Sequence, residues 1–102
     1  MSLHFPGLAV SRSVHYVMPD GSHRAAIVTS VSHSAPAEWQ CRGLCNVTVF
    51  PDGANDDANI RKVFNLNPAE PVPHVYRCGF QASSVVFDDT LKPGSVHWPE
   101  QE

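Results

Sequence analysis

Two Pro-Asp-Gly turns constrain this chain most, because each one stops an apolar run of strand length. They begin at Pro19 and Pro51 and directly follow Val-Met and Val-Phe. Proline presets the first corner angle of a turn, and glycine tolerates the positive φ that such turns require. The residues after the two turns do not correspond, so we interpret the likeness as shared turn chemistry rather than a duplicated repeat. The turns therefore mark where two strands end.

Runs rich in β-branched and aromatic residues predict five or six short strands. The segments that we expect to be strands are residues 13–18, 24–31, 44–50, 75–80, 83–87 and 95–98. The first two flank the first Pro-Asp-Gly turn and predict a hairpin. In the third, Cys45, Val47 and Val49 share one face by strand alternation. Prolines and glycines spread along the whole chain argue against long helices.

One short helix is predicted in residues 55–64, where capping residues come first, basic residues later, and apolar residues recur at helical spacing. Short strands with one insertion suit a small closed or half-closed barrel, which removes exposed sheet edges. We expect a mostly β fold, a small SH3-like barrel. At 102 residues we expect one domain. Its parts are an N-terminal arm of residues 1–12 and a barrel of residues 13–102, with an insertion at about residues 54–82.

Charge and hydropathy exclude several classes of protein. The net charge is −3 and the basic residues are scattered, which argues against nucleic acid as a partner. No apolar stretch is long enough for a membrane span, and the first ten residues carry no basic leader region. Three cysteines cannot all pair with one another, so we expect reduced thiols and a cytosolic protein.

Four soft or borderline ligands form two equally spaced pairs, Cys41 with Cys45 and His74 with Cys78. Two cysteines and further cysteine or histidine ligands are a donor set that binds tetrahedral zinc in proteins. Residues four apart on a straight strand lie about 13 Å apart, however, so each pair requires a bend. We therefore expect no metal site and keep these residues as a weak candidate set. The alternative is that Cys45 or Cys78 packs in the core while Cys41 and His74 lie in loops.

Histidine is abundant, and two histidines, His15 and His97, fall on predicted strands. The six histidines are His4, His15, His23, His33, His74 and His97. No His-x-His, His-Glu-x-x-His or Gly-x-Ser-x-Gly spacing occurs among them or elsewhere. We therefore expect no enzyme activity and no cofactor.

Apolar residues in the N-terminal arm do not fit a regular element. Leu3, Phe5, Leu8 and Val10 are separated by Pro-Gly and cannot fold alone. Such termini often dock on a neighbour, so we expect a homo-oligomer or a contact with another protein. The alternative is simple packing of the arm on its own barrel.

Four blocks of this sequence resemble small uncharacterised proteins of tailed bacteriophages and prophages. The blocks are Val14-His15-Tyr16-Val17, Arg24-Ala25-Ala26-Ile27-Val28, Asn46-Val47-Thr48-Val49-Phe50-Pro51-Asp52-Gly53 and Gly94-Ser95-Val96-His97-Trp98-Pro99. They cover about half of the chain and contain no catalytic motif. The resemblance implies a phage origin and no particular chemistry.

A phage origin is compatible with two classes of function. The first is a non-enzymatic binding module in the host cytoplasm that sequesters a small ligand or blocks a host defence protein. Its concave site is expected to use Arg24, Trp39, Tyr76 and Arg77. The second is a virion component, either a head-decoration or a tail-attached protein, with a phage structural protein as its partner. A small zinc-binding protein that uses the cysteine and histidine pairs is a further alternative.

Overall fold

The computed structural model describes residues 7–32, 34–88 and 90–99. The fold is mostly β, with a five-stranded antiparallel sheet curled into a half-barrel and a few short helices. In chain order the elements are β1 (Ser13–Val17), β2 (His23–Val31), α1 (Ala37–Gln40), β3 (Cys45–Val49), a 3₁₀ helix (Gly53–Asp56), α2 (Asp57–Phe64), α3 (His74–Cys78), β4 (Phe80–Val85) and β5 (Val96–His97). None of the helices within these ranges is long and apolar enough to cross a membrane.

The first Pro-Asp-Gly turn joins β1 and β2 into the predicted hairpin. The amide of Met18 donates to the carbonyl of Ser22 at 2.8 Å, and the amide of Gly21 donates to the carbonyl of Met18 at 2.8 Å. Gly21 has a φ of 90°, a conformation that side chains with a Cβ rarely adopt. The strand order is β4-β3-β2-β1-β5, so this hairpin lies inside the sheet. β1 is thereby hydrogen-bonded on both edges.

Strand alternation divides the sheet into a core face and an outer face. On β3 the predicted alternation is confirmed, since Cys45, Val47 and Val49 are buried while Asn46 and Thr48 are partly exposed. The core face also receives the apolar residues Val14, Tyr16, Ala26, Val28, Phe80, Ala82, Val85 and Val96. The outer face of the central strands therefore remains available for other chemistry.

The predicted helix in residues 55–64 is confirmed and is preceded by a 3₁₀ turn. Ile60 in α2 is fully buried in the main core, and Val63 and Phe64 pack against the same core. The helix ends at Asn65, which adopts the left-handed conformation at φ 53° and ψ 49°. α2 thus covers the core face of the sheet instead of projecting from it.

The prediction of a strand over residues 75–80 is wrong, because His74–Cys78 forms α3. A helical turn places the Tyr76 ring parallel to Phe64, with centroids 4.4 Å apart and planes 13° apart. The stacking of these partly buried rings favours the helical turn over the strand preference of the Val-Tyr pair. The following strand, β4 (Phe80–Val85), begins three residues earlier than predicted. The segment predicted to be an insertion, residues 54–82, therefore contains most of the 3₁₀ helix, α2, α3 and the first half of β4 instead of one short helix.

The described part of the N-terminal arm runs along strand β2 of the sheet. The amide of Ser11 donates to the carbonyl of Val28 at 2.7 Å, and the amide of Val28 donates to the carbonyl of Arg12 at 2.9 Å. Leu8 packs against the core, while Val10 remains 58% exposed. The predicted docking residues Leu3 and Phe5 lie outside the described residues. The segment between β2 and β3 contains the short helix α1.

A candidate three-histidine metal site

Three neighbouring strands each place one histidine on the outer face of the sheet. His15 of β1 lies directly opposite His97 of β5 in the antiparallel register. On its other side His15 lies opposite Ala25, and His23 comes two residues before Ala25, opposite Val17. Directly opposite and diagonal residues of adjacent strands lie on the same face of a sheet. The register therefore brings His15, His23 and His97 to one place.

The three imidazoles lie close enough to share one metal ion. Their ring centroids are 5.4 Å apart for His15 and His97, 4.7 Å for His23 and His97, and 6.3 Å for His15 and His23. One ring nitrogen from each lies within 4.8 Å of the others. A tetrahedral zinc ion bonded at about 2.0–2.1 Å holds its nitrogen ligands about 3.4 Å apart. The nitrogens therefore need to approach one another by at most about 1.4 Å to share a zinc ion.

Burial and hydrogen bonding set His15 apart from an ordinary surface histidine. Its Nδ1 atom is buried and has no hydrogen-bond partner within the described ranges. A buried polar atom without a partner destabilises the fold by about 1–3 kcal/mol, and most such atoms in native proteins are paired. A metal ion that accepts the nitrogen lone pair removes this penalty. Opposite His15, His97 is 6% exposed, so the site is partly enclosed by the protein.

The donor set defines which ions fit. Within residues 7–32, 34–88 and 90–99, these histidines form the single group of three or more metal-binding side chains. Imidazole nitrogen suits zinc, copper, nickel and iron, whereas magnesium and calcium prefer oxygen ligands. Three histidines with a fourth position left open is a coordination that zinc adopts in proteins. The arrangement therefore fits a transition-metal ion of the zinc class.

The predicted cysteine and histidine pairs occupy different surroundings. His74 and Cys78 lie one helical turn apart on α3, with Nε2 and Sγ at 3.7 Å. Cys45 is buried, and burial raises the pKa of its thiol to about 11, so it remains protonated at neutral pH. Cys41 is exposed at the end of α1. In the described part of the chain these four residues do not form a metal-binding group.

The two arginines predicted to bind a ligand form ion pairs with neighbouring aspartates at the start of α2. Arg24 donates from Nε and Nη2 to the carboxylate of Asp56 at 2.7 and 2.9 Å. Arg77 donates from Nε and Nη2 to Asp57 at 2.9 and 2.7 Å. Asp56 is fully buried, so the Arg24 pair joins α2 to the sheet. In this structure both guanidinium groups hold elements of the fold together.

The two aromatic residues of the predicted ligand site lie on different helices. Tyr76 stacks on Phe64 next to the core. Trp39, on α1 between β2 and β3, is 39% exposed. The guanidinium of Arg42 lies over its ring, 4.9 Å from the ring centroid. The structure thus gathers Arg24, Tyr76 and Arg77 around α2, and Trp39 lies on a separate segment.

Part of the histidine site was detectable in the sequence. The first turn sets the hairpin register, and that register places His23 diagonally from His15 on the same face. No spacing rule links either residue to His97, because β5 reaches β1 only through the tertiary fold. No family model matches this chain, and no curated protein or solved structure matches it either.

Proposed function

We propose that this protein binds a divalent transition-metal ion of the zinc class through His15, His23 and His97. The observation that carries the proposal is the convergence of three imidazole nitrogens within 4.8 Å from three different strands. Each strand is held in register by main-chain hydrogen bonds, so the donors are positioned before an ion arrives. A site built in this way loses little conformational entropy when it binds.

Metal content of the purified protein tests the proposal. After removal of metal with a chelator, titration with zinc is expected to reach one equivalent per chain. His97→Ala removes one of the three donors and is expected to abolish stoichiometric binding. His74→Ala is the matched control, since His74 is an exposed histidine outside the cluster. Equal zinc binding by wild type and His97→Ala contradicts the proposal.

Cobalt distinguishes the histidine site from the cysteine and histidine pairs. Cobalt(II) bound by nitrogen ligands shows visible d–d bands without the near-ultraviolet charge-transfer band that a thiolate ligand produces. We expect the cobalt-loaded protein to lack that thiolate band. A strong thiolate band that disappears in Cys78→Ser assigns the metal to the four-residue set with Cys41, Cys45 and His74.

We also propose that the half-barrel is SH3-like. The support is the strand order β4-β3-β2-β1-β5 together with the chain that follows β4. Phe87 forms a bridge with Val96, the amide of Val96 donates to the carbonyl of Val86 at 3.0 Å, and the amide of Asp88 donates to Val96 at 3.1 Å. These bonds bring the continuation of β4 to β5, as closure of a small barrel requires.

For the biological role we propose a phage-encoded binding module in the host cytoplasm, which acts by binding rather than catalysis. Besides the four resembling blocks, a polar cavity of about 210 Å³ beyond the end of β4 supports small-ligand binding. Its lining includes Arg42, Asp88 and Lys92. The alternative is a virion component, and mass spectrometry of purified virions separates the two. Many copies in the virion contradict the host-directed role.

Self-association is part of the same proposal. Val10 in the arm is 58% exposed, which suits contact with a second copy. Sedimentation equilibrium of the wild type and of Val10→Ser tests this contact. We expect the wild type to self-associate more strongly than the variant. A monomer at all protein concentrations contradicts it.

A further inference from the structure

We propose that the metal site keeps one coordination position open toward solvent and that this position binds a small anion. This inference rests on the proposed metal binding at His15, His23 and His97. It adds the class of ligand that the site takes, namely a small ligand with one anionic donor group such as a carboxylate.

The direction of the three donors leaves one side of the ion uncovered. All three imidazoles rise from the same face of one sheet, with β1 between β2 and β5. Val17 lies on this face opposite His23 and is fully buried, so the space toward the sheet is filled. A tetrahedral ion takes its fourth ligand from the side opposite the first three. That side points away from the sheet.

The exposure of the histidines agrees with this direction. His97 is buried, whereas His15 and His23 are only partly buried, so the cluster reaches the surface on the side of β1 and β2. Within the described residues no carboxylate or thiolate joins the three histidines in the group. Asp20, close to His23 in sequence, instead accepts hydrogen bonds from the amide and hydroxyl of Ser22.

The charge of the site favours an anion in the open position. Three neutral imidazoles leave both positive charges of the ion uncompensated. The neighbouring outer-face positions on β1 and β2 are Ser13, Ala25 and Ile27, none of which carries a charge. No acidic side chain at these positions lowers the local potential. The anion replaces a water molecule as the fourth ligand, and this water molecule returns intact to the solvent.

Azide binding to the cobalt-loaded protein tests the open position. We expect azide to shift the visible d–d bands in a saturable way with one azide per cobalt, and acetate to compete with it. Cobalt bands that stay unchanged at saturating azide overturn the inference while leaving metal binding intact, because they show that the chain itself fills the fourth position. Failure to bind cobalt contradicts the proposed function and the inference together.

Two variants locate the azide response at this face. Ser13→Asp places a carboxylate on the outer face beside His15, and it is expected to weaken azide binding by about two- to five-fold through like-charge repulsion. Ser13 is exposed, so the substitution leaves the core unchanged. Ser13→Asn, which is uncharged and of similar size, is expected to match the wild type. Equal azide affinity in both variants places the response elsewhere and overturns the inference.

Discussion

His15 and His97 lie directly opposite each other on the antiparallel strands β1 and β5, with their ring centroids 5.4 Å apart. The two residues come from opposite ends of the sequence. Main-chain hydrogen bonds of β1 to both of its neighbours hold this pair, and His23 approaches it from the hairpin. A binding site carried by strands is positioned more accurately than one carried by loops.

Loss of one histidine is expected to remove most of the metal affinity. His97→Ala deletes a donor that is 6% exposed. Loss of a residue that only hydrogen-bonds to a metal ligand typically lowers metal affinity 10–100-fold, so loss of a ligand itself should lower zinc affinity at least about 100-fold. Competition against a chromogenic zinc chelator measures the change. His74→Ala should retain the affinity of the wild type, and a similar loss in both variants contradicts the assignment.

Zinc is expected to stabilise the folded protein, because the three donors converge only in the native sheet. At free zinc 100-fold above the dissociation constant, the gain is about 2.7 kcal/mol, which corresponds to about 10–20 °C in Tm for a domain of this size. Thermal unfolding followed by circular dichroism measures it, and a chelator should reverse it. An equal shift in His15→Ala contradicts binding at this site.

The buried carboxylate of Asp56 is expected to matter more for stability than its neighbour Asp57. Asp56 accepts from Arg24, from the amide of Asp52 and from Asn59. Asp56→Ala leaves Arg24 without its partner and should lower the free energy of unfolding by about 2–3 kcal/mol, less than a fully buried pair because Arg24 is 23% exposed. Urea unfolding measures the change.

The control for that experiment is Asp57→Ala. Its ion pair with Arg77 is more exposed than that of Asp56, so the expected loss is smaller. An equal or larger loss in Asp57→Ala contradicts the structural importance assigned to the Arg24 pair.

Acid should weaken the fold partly through Asp56. Burial disfavours the charged carboxylate, but the hydrogen bonds from Arg24, Asp52 and Asn59 outweigh burial and hold the pKa of Asp56 below its ordinary value. A lowered native pKa contributes stability above the unfolded value of about 3.9, and that contribution is lost as the pH falls through the native pKa. When the pH is lowered from 6 to below the unfolded value of about 3.9, the free energy of unfolding of Asp56→Asn should therefore fall less than that of the wild type.

Urea midpoints measured against pH test this expectation. Asp57 and Asp88 also have pKa values held below the ordinary value, by hydrogen bonds from Arg77 and Thr90. Asp57 and Asp88 remain in Asp56→Asn. The urea midpoint of this variant is therefore expected to fall with decreasing pH, but less steeply than that of the wild type. Identical acid slopes contradict the role of Asp56.

The insertion is expected to unfold together with the sheet. Ile60 of α2 is fully buried in the main core, so Ile60→Ala should lower the free energy of unfolding by about 2–5 kcal/mol in a single transition. Val75→Ala is the control, because Val75 is 66% exposed and its loss should have little effect. Hydrogen exchange that protects the sheet while α2 exchanges freely contradicts a shared core.

Turn residues and strand alternation correctly predicted those elements whose conformation depends on residues nearby in the sequence. The β1–β2 hairpin follows from the turn at Pro19, and the burial of Val47 follows from strand alternation alone. The segment at Tyr76 was mispredicted as a strand, because its helical conformation depends on stacking against Phe64 in α2. Contacts of that kind override local preference.

The sequence by itself determined a mostly β chain with its first hairpin, the phase of β3 and the helix around Ile60, since each depends on periodicity and turn chemistry within a few residues. Only the tertiary structure decided that His97 joins His15 and His23. Strand pairing between β1 and β5 sets that contact, and pairing between distant segments depends on how the whole chain packs its core. His97 enters the site through the order of the strands in the sheet, which no local spacing encodes.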